Sequence, residues 1–318
     1  MLSFTCCSGR MMLFPRLLTG TERQMVSMAL AFEPLSIEKA DEYLGLYSQC
    51  SRQSAYYSFG SLWAWRTVFG FSWAFSDGLC WIRTGSGTLW SPVGQWETVD
   101  WASVLPRHFS CPQEFSYAPD GLVKILTGLF RDRIAAREVR SQWEYLHSVK
   151  ELIALKGNRF SRKRSHIRQF VKNYPFRYRS LSGEDGDAIL EAQRLWLAER
   201  DEPAALLREN EAIGEMVREW RNIPGLLGGM LEVDGKPAAY TIAEAISQDT
   251  VMIHFEKALS SFNGAYQAIN RMFLQNTASS YTTVNREEDL GDEGMRVAKM
   301  SYHPVGFLKK YVLSWFPD

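Results

Sequence analysis

The chain has 318 residues, 46% of them hydrophobic and 13% aromatic, which is enough for one large or two medium globular domains with packed cores. Lys and Arg together number 36 and so do Asp and Glu, which excludes a global field that would attract nucleic acid or an anionic membrane. Any such partner must therefore bind a local patch of charge.

The N-terminal residues do not predict a signal peptide, because their apolar run is short and is interrupted by Pro and Arg. We expect residues 1–28 to be a disordered or mispredicted leader, with Met25 or Met28 as the true start. No stretch reaches the roughly 20 apolar residues that a spanning helix requires. The cysteines are odd in number and lack metal-site or disulfide spacing, which favours a reducing, cytoplasmic location.

The first half of the chain alternates helices with short strands. Ser36–Tyr47 predicts a helix capped by Ser36, and the aromatic Tyr56–Trp65 predicts a buried helix or turn that packs both halves. A hairpin turn at Asp77-Gly78 indicates antiparallel strands within 71–93. Further helices are predicted at 96–106 and 122–130, and a strand at 139–145.

The most basic stretch, residues 158–174, combines six cations with an apolar stripe at helical spacing. Such a helix is typical of a solvated face, a membrane-surface helix or a phosphate site, and the phosphate site fits a chain of neutral total charge. The cations of interest for donor phosphate are Arg162, Lys163 and Arg164. We place a domain boundary here, with an N-terminal domain at 29–157 and a C-terminal domain at 158–318.

The second half predicts helices, then a three-stranded antiparallel meander, a helix, a strand and a helix. The helices lie within 183–207 and 209–220, the strands at 225–233, 238–246 and 250–258, and the next helix and strand at 265–274 and 280–284. This order by itself indicates an α+β fold.

A block of mixed charge follows the last of these strands. Asn285, Arg286, Glu287, Glu288 and Asp289 come directly after a β-branched run, and a helix is predicted to start at Asp292 and Glu293. One interpretation is a solvated, self-paired surface. The other is a ligand site, because ligands gather at strand ends and an amide with a guanidinium suits carboxylate or phosphate.

Several motifs together resemble the soluble family related to the C-terminal domain of phosphatidylglycerol lysyltransferases (DUF2156-like). The matching blocks are Tyr57-Ser-Phe with Trp63 and Trp65, Leu155-Lys-Gly157 with Lys163-Arg164 and Phe170, His254-Phe-Glu-Lys257 with Gly264–Asn270, and Asn285–Gly291 with Arg296–Tyr302 and Pro304. The resemblance covers roughly residues 32–311. It implies two tandem GNAT-like (acyl-CoA N-acyltransferase) domains, each a mixed, mostly antiparallel sheet flanked by helices, akin to Fem-type aminoacyl transferases.

Two further positions are candidates for chemistry. Strand alternation predicts that His254 and Glu256 face the same side, where either could take a proton from an incoming amine, although each could instead pair with a neighbouring strand. Gly264 stands where GNAT proteins carry a glycine-rich phosphate turn. Only one glycine is present in Ser260–Ala265, so this turn is a weak signal for CoA and resembles a plain helix start.

We therefore expect a GNAT-superfamily transferase that moves an aminoacyl group from aminoacyl-tRNA, or an acyl group from acyl-CoA, onto an amine or hydroxyl. The acceptor would be a small molecule or a lipid headgroup, tRNA would be a partner if it is the donor, and no tightly bound cofactor or metal is expected. The alternative is a non-catalytic module that binds an anionic small molecule. The catalytic candidates are His254, Glu256, Glu287 and Asp289, the substrate-binding candidates are Asn285, Arg286, Arg296, Lys299 and Tyr302, and the donor-phosphate candidates are Arg162, Lys163, Arg164, Asn263 and Gly264.

Overall fold

The computed structural model describes residues 29–200 and 204–318, which form 10 α-helices and 15 β-strands. The helices are α1 (Ala40–Ser48), α2 (Phe59–Phe69), α3 (Trp101–His108), α4 (Asp120–Phe130), α5 (Val149–Ala154), α6 (Ser161–Asn173), α7 (Gly186–Ala198), α8 (Ala204–Arg218), α9 (Ala265–Asn276) and α10 (Glu293–Met300). The strands are β1 (Glu33–Pro34), β2 (Ser72–Ser76), β3 (Leu79–Arg83), β4 (Leu89–Trp90), β5 (Val93–Gly94), β6 (Gln113–Pro119), β7 (Ile134–Glu138), β8 (Glu144–Ser148), β9 (Phe176–Leu181), β10 (Leu226–Val233), β11 (Lys236–Ala245), β12 (Thr250–Ala258), β13 (Thr283–Asn285), β14 (Gly306–Leu308) and β15 (Lys310–Trp315).

The strands build two mixed sheets. The first has the order β1-β2-β3-β4-β6-β15-β7, with β5 paired to β3, and only its β4–β6 pair is parallel among the described strands. The second has the order β14-β8-β13-β12-β11-β10-β9, and its β12–β13 pair is parallel. Parallel neighbours need a crossover, and α9 supplies it between β12 and β13.

Each sheet contains one strand that is distant in sequence from most of its other strands. β15, at the C-terminus, lies between β6 and β7 in the first sheet, whereas β8, from the first half, pairs with β13 and β14 in the second. The division into domains at 29–157 and 158–318 stays a prediction. Strand β8 comes from the first range but pairs in the second sheet, and β15 comes from the second range but pairs in the first sheet.

One large core joins the two sheets. It combines Trp73 and Trp81 of the first sheet with Met230, Tyr240 and Met252 of the second. Helix α2 lies between them: its aromatic sequence is largely buried, and it packs on α8, where Arg66 donates to Glu215 at 2.5 Å. The prediction of a buried aromatic helix that packs both halves is confirmed.

Most predicted elements are present with shifted ends. The meander of β10, β11 and β12 is confirmed, and its first turn has Asp234 and Gly235 at φ 49° and 73°, the left-handed geometry that a two-residue hairpin requires. The strand predicted at 139–145 is wrong. Residues 140–142 form a 3-10 turn from which Arg140 reaches Asp289 and the Tyr145 hydroxyl, and pairing starts only at Glu144.

Ser36 precedes a 3-10 turn that leads into α1, but its side chain makes no capping hydrogen bond, so the predicted cap is wrong. The predicted leader, residues 1–28 with possible starts at Met25 and Met28, lies outside the described residues.

Candidate functional site

The candidate site lies where β12 and β13 part. The two strands pair in parallel from Thr250↔Thr283 to Met252↔Asn285, and β12 then continues to Ala258 while β13 ends. The chain that leaves β13 at Asn285 carries the mixed-charge block predicted from the sequence. A split of this kind opens the middle of a sheet to ligands from both of its faces.

A β-bulge in β12 separates the two catalytic candidates of that strand. The register shifts so that Ile242 pairs with Phe255 and Ala243 with Ile253, which leaves His254 as the extra residue. Phe255 consequently packs in the large core with Met252, while Ile253 packs in a separate core on the opposite face. The prediction that His254 and Glu256 face the same side is therefore wrong, because strict alternation fails at the bulge.

On the α2 face of the split, His254 lies between two carboxylates. Its Nε2 is 2.8 Å from Glu244 Oε2, and its Nδ1 is 3.9 Å from Glu287 Oε1 and 3.4 Å from Ser61 Oγ. His254 and Glu244 are both buried. In the tautomer with the proton on Nε2, that nitrogen donates a hydrogen bond to the Glu244 carboxylate, and Nδ1 is an acceptor on the side of Glu287.

Glu287 is held at the split by a strained turn. Its φ is 53°, in the left-handed region that non-glycine residues seldom adopt. The Glu287 amide donates to Asn285 Oδ1 at 2.9 Å, and the Tyr145 amide donates to the Glu287 carbonyl at 3.1 Å, so the turn is fixed at both ends. These contacts aim the carboxylate into the split.

Glu287 and Glu288 share a concave recess in which their carboxyl groups are poorly solvated. The Glu287 side chain keeps 29% of its surface accessible, yet the surrounding protein and then the charge of Glu288 raise its pKa well above the usual range. Burial also raises the pKa of Glu288, against the effect of Lys299. Burial lowers the pKa of Lys299, which donates to the Arg286 carbonyl at 2.5 Å and to the Glu288 carbonyl. Carboxyls with raised pKa values are common at functional sites, which makes this recess a candidate for one.

On the α6 face, Arg286 and Glu256 form a partly buried ion pair. Arg286 donates to Glu256 Oε1 at 3.0 Å, Asn270 of α9 donates to Glu256 Oε2 at 2.9 Å, and the second guanidinium nitrogen, Nη1, is buried without a partner. The guanidinium lies over the Tyr302 ring, 4.6 Å from its centroid. Glu256 thus positions Arg286, and it lies on the opposite face of the sheet from His254.

Lys163 brings the basic helix α6 to the same place. Its ammonium is 4.0 Å from the centroid of the Tyr302 ring and donates to Ser301 Oγ at 2.7 Å. Burial and the nearby Arg286 charge lower the Lys163 pKa. The aromatic ring of Tyr302 therefore carries two cations, which makes this face of the split suited to an anion.

Asn285 connects this site to the first sheet. It is fully buried and donates at 2.6 Å to Glu144, whose carboxylate also accepts from Ser54 Oγ at 2.5 Å and from the Ala55 amide at 2.9 Å. Lys310 completes the set with an ion pair of 2.8 Å to Glu144. Asn285 therefore orients the turn from inside the protein.

Asp289 and Arg296 form a structural network. Asp289 is fully buried and is bonded by Arg296 at 2.9 and 3.1 Å, by Tyr145 at 2.5 Å and by Arg140 at 3.1 Å. Burial alone would raise the Asp289 pKa, but the hydrogen bonds from Arg296, Tyr145 and the Gly291 amide lower it well below its usual range. A carboxylate that is held ionised and saturated in this way fixes the loop before α10.

The predicted phosphate residues are divided by the structure. Arg162 is exposed beside Lys163, whereas Arg164 donates to the Leu155 and Gly157 carbonyls at 2.5 and 2.6 Å. Gly264 has φ 88°, and a Cβ there would lie 2.2 Å from the His166 carbonyl oxygen, so packing of α6 already explains this glycine. Asn263 is exposed, with its amide bonded to Tyr174. A phosphate role for Asn263 and Gly264 stays a prediction.

Sequence reasoning missed Glu244, Ser61 and Glu144. Glu244 had a usable signal, because it is a lone charge inside the apolar run of β11 and such a charge needs a buried partner. Ser61 and Glu144 had none, since their partners lie far away in the chain.

Neither a metal site nor a spanning helix is found in the described part of the chain. No three His, Cys, Asp or Glu side chains among residues 29–200 and 204–318 are arranged to bind a metal ion. The described helices also include none that is long and apolar enough to cross a bilayer.

Comparison with known proteins places this geometry in a family. The family described as "Phosphatidylglycerol lysyltransferase, C-terminal" matches residues 48–314. An uncharacterized protein of Mycoplasmoides gallisepticum is 21% identical over 178 residues, and the match spans 54% of this chain and 56% of that protein. The chain thus aligns with just over half the length of this curated relative.

Solved structures extend the comparison. A conserved protein of unknown function from Bacteroides thetaiotaomicron has a TM-score of 0.81 at 28% identity, covering 90% of this chain and 99% of that one. The C-terminal domain (DUF2156) of a putative lysylphosphatidylglycerol synthetase from Agrobacterium fabrum has a TM-score of 0.61 at 14% identity, covering 87% and 91%. FemX has a TM-score of 0.57 at 7% identity, covering 90% and 97%. The two mixed sheets with their flanking helices share the fold of FemX and fit the predicted fold class of two GNAT-like domains.

Proposed function

The chain belongs to the family of the phosphatidylglycerol lysyltransferase C-terminal domain, and on that premise we propose that it is an aminoacyl transferase. The donor in this proposal is aminoacyl-tRNA, and the acceptor is an amine or hydroxyl of a small molecule or lipid headgroup. No tightly bound cofactor takes part. A cytoplasmic location belongs to the same proposal, since charged tRNA is found there.

The observation that carries the proposal is the division of chemistry across the split. A carboxyl with a raised pKa and an imidazole acceptor, Glu287 and His254, lie on the α2 face. Two cations on one aromatic ring, Arg286 and Lys163, lie on the α6 face. A donor that carries phosphate and an acceptor that must lose a proton could approach from opposite faces and react in the gap between β12 and β13.

The reaction follows from these roles. The acceptor nitrogen or oxygen attacks the carbonyl carbon of the ester that joins the amino acid to the terminal ribose. The new C–N or C–O bond forms, the ester C–O bond breaks, and the acceptor proton passes to Glu287. The departing ribose oxygen takes up one proton from solvent and leaves as a hydroxyl, and the acceptor proton returns to solvent from the enzyme, so the proton count is unchanged. Glu287 acts in its ionised form, which is a stronger base than an ordinary carboxylate because its pKa is raised. A base must act because only a neutral amine is nucleophilic.

His254 supports this base. With its Nε2 proton directed to Glu244, Nδ1 can accept the proton that Glu287 has taken up, which frees Glu287 for another turnover. Glu244 is a positioning residue in this scheme, because it fixes the tautomer and does not touch the acceptor.

The choice of tRNA over acyl-CoA rests on the phosphate-binding features. The close approach of the His166 carbonyl explains Gly264 without a CoA pyrophosphate at this turn. The exposed cations of α6, including Arg162, remain available to a polyanion and lead toward Lys163 at the split.

A transfer assay tests the proposal. tRNA charged with radiolabelled amino acids is incubated with the protein, a mixture of primary amines, and phospholipid vesicles, and label is followed into low-molecular-weight and lipid products. We expect transfer by the wild type and a loss of about 100-fold or more for Glu287→Gln. Glu138→Gln, at an exposed pair with Lys309, is the matched control. Equal rates for wild type and Glu287→Gln would show that Glu287 is not the base. A parallel reaction contains acyl-CoA in place of charged tRNA, and transfer in that reaction alone would show that acyl-CoA is the donor.

A further inference from the structure

Ser61 lies beside the imidazole of His254 in an arrangement that the proposed transfer does not use. Its Oγ is 3.4 Å from His254 Nδ1, while His254 Nε2 is 2.8 Å from Glu244 Oε2. In the tautomer that donates from Nε2 to Glu244, Nδ1 can only accept, so the Ser61 hydroxyl is the donor of this contact. A hydroxyl, an imidazole and a carboxylate therefore form one chain of hydrogen bonds.

The order of these three groups is that of an activated nucleophile. An imidazole within reach of a hydroxyl can remove its proton as the oxygen attacks a carbonyl carbon. A carboxylate on the other ring nitrogen fixes the tautomer and balances the charge of the imidazolium that forms. The distance of 3.4 Å from Ser61 to His254 is longer than a strong hydrogen bond, and catalytic hydrogen bonds commonly tighten only when substrate binds.

A glycine brings helix α2 against the His254–Glu244 pair. The Gly60 amide donates to Glu244 Oε1 at 3.4 Å, and a Cβ at Gly60 would overlap Glu244 Oε2 and lie 3.1 Å from His254 Nε2. Only a residue without a side chain allows this approach, which places the next residue, Ser61, at Nδ1. Ser61 is also in the first turn of the 11-residue α2, where the positive end of the helix dipole favours negative charge on its oxygen.

The Ser61 hydroxyl borders the recess that holds Glu287. Glu287 Oε1 is 3.9 Å from the same Nδ1 that Ser61 contacts, and Ser61 is 9% exposed, whereas Glu244 behind the ring is 2% exposed. The carboxylate of Glu244 and the ionised form of Glu287 lie on two sides of the His254 ring, so both stabilise an imidazolium. A carbonyl group that enters the recess therefore meets the nucleophile and its base together.

We propose that Ser61 is a nucleophile that takes the acyl group from carboxylic esters, and that the protein has an esterase activity through this acyl-serine. Ser61 Oγ bonds to the ester carbonyl carbon and gives its proton to His254 Nδ1, the ester C–O bond breaks, and the alcohol leaves with that proton. Water then attacks the acyl-serine, and its proton passes through Nδ1 to Ser61 Oγ as the carboxylic acid leaves. One ester and one water give one acid and one alcohol, and the enzyme is unchanged.

This activity goes beyond the proposed function, because it needs neither tRNA nor an amine. In the transfer described above the acceptor attacks the donor ester directly, with Glu287 as the base and without a bond to the protein. The acyl-serine is a second reaction of the same split, in which water is the acceptor.

The esterase activity is tested on the full chain with p-nitrophenyl acetate, an activated ester whose cleavage releases a coloured alcohol. We expect hydrolysis by the wild type, and losses of about 100-fold or more for Ser61→Ala and for His254→Gln. Thermal unfolding of each variant shows that it is folded.

Phenylmethanesulfonyl fluoride, which reacts irreversibly with activated serines, identifies the nucleophile in the wild type without any variant. Ser61 Oγ displaces fluoride from the sulfur and its proton leaves as hydrogen fluoride, so mass measurement and peptide mapping should place one sulfonyl group on Ser61. Ser103→Ala is the matched control, because Ser103 is likewise the third residue of its helix, α3, but donates to Asp100 at 2.6 Å. This variant should hydrolyse the ester and take up the label like the wild type.

Three results would overturn the assignment of Ser61. These are a wild type that takes up no sulfonyl group, a label that maps to another residue, and equal ester hydrolysis by the wild type and a folded Ser61→Ala. Neither probe contains tRNA or an amine, so these results leave the transfer assay unaffected. A failed transfer assay in turn leaves the labelling of Ser61 intact, and the two proposals fail separately.

Discussion

Glu144 is the buried carboxylate on which the two sheets converge. It accepts hydrogen bonds from Ser54 and Ala55 on one side and Asn285 on the other, and it balances the charge of Lys310. Glu144 and Lys310 are both fully buried. The turn after Asn285, which directs Glu287 into the split, therefore depends on a buried ion pair that water cannot reach.

Replacing Glu144 with Gln should strongly destabilise the protein. The change leaves Lys310 as an unpaired buried charge, and a broken buried pair costs about 3–5 kcal/mol. Urea unfolding at pH 7 measures the loss in the free energy of unfolding. Glu138→Gln, which removes an exposed pair with Lys309, should cost no more than about 1 kcal/mol. A similar small loss in both variants would show that Glu144 does not hold the sheets together.

Glu287 should make the protein less stable as pH rises. Its pKa in the folded protein is raised above the ordinary value of 4.5, so between 4.5 and the raised value the folded state holds a proton that the unfolded state has released. Stability rises with pH only where the unfolded state binds more protons, and here the opposite holds. Its contribution is thus fully present below pH 4.5 and is lost as pH rises through the folded pKa.

Glu287→Gln removes this titration, so its unfolding free energy should fall less steeply between pH 5 and 8 than that of the wild type. The variant should also be the more stable protein at the upper end of this range. Urea unfolding at several pH values provides the comparison, with Glu138→Gln as a carboxylate control outside the recess. Parallel curves for wild type and Glu287→Gln would contradict the raised pKa.

The β-bulge in β12 shows which element could not be read from the sequence. Residues 250–258 have the composition of a regular strand, and their ends are predicted correctly, but the bulge is set by pairing with β11. A one-residue shift sends following side chains to the opposite face. As a result His254 faces α2 and Glu244, while Glu256 faces α9 and Arg286.

The contact between α6 and α9 is a second feature fixed by tertiary structure, and it supports a prediction. Gly264→Ala should destabilise the protein by about 1–3 kcal/mol, since φ is 88° and the new Cβ would meet the His166 carbonyl oxygen at 2.2 Å. Gly45→Ala in α1 is the control, because its Cβ would meet nothing within 4 Å. That change should stabilise the protein by about 0.5–1 kcal/mol.

Thermal or urea unfolding of both glycine variants checks this account. If Gly264→Ala were as stable as the wild type, α6 would not press on the turn. The explanation of this glycine by packing would then fail, and its role as a phosphate turn would regain support.

At the level of the whole chain, local patterns were sufficient for element types and for the mixed-charge block after β13. Hydrophobic period and turn residues identify the meander, and the resemblance of motifs supplies the tandem fold. The pairing of β8 in the second sheet and of β15 in the first could not be predicted, because pairing between residues more than a hundred positions apart leaves no local signal in the sequence. For the same reason the recess of Glu287 could be proposed as charged but not recognised as poorly solvated.

Ligand-induced stabilisation distinguishes charged tRNA from acyl-CoA as the donor. Thermal unfolding is followed with a tRNA that carries its amino acid through a non-hydrolysable amide, with the same tRNA uncharged, and with acetyl-CoA. We predict stabilisation by the charged analogue, about 2.7 kcal/mol at one hundred times the dissociation constant, with less from uncharged tRNA. The gain should be reduced in Lys163→Ala. Stabilisation by acetyl-CoA, with no effect of charged tRNA, would show that the protein binds acyl-CoA and not aminoacyl-tRNA.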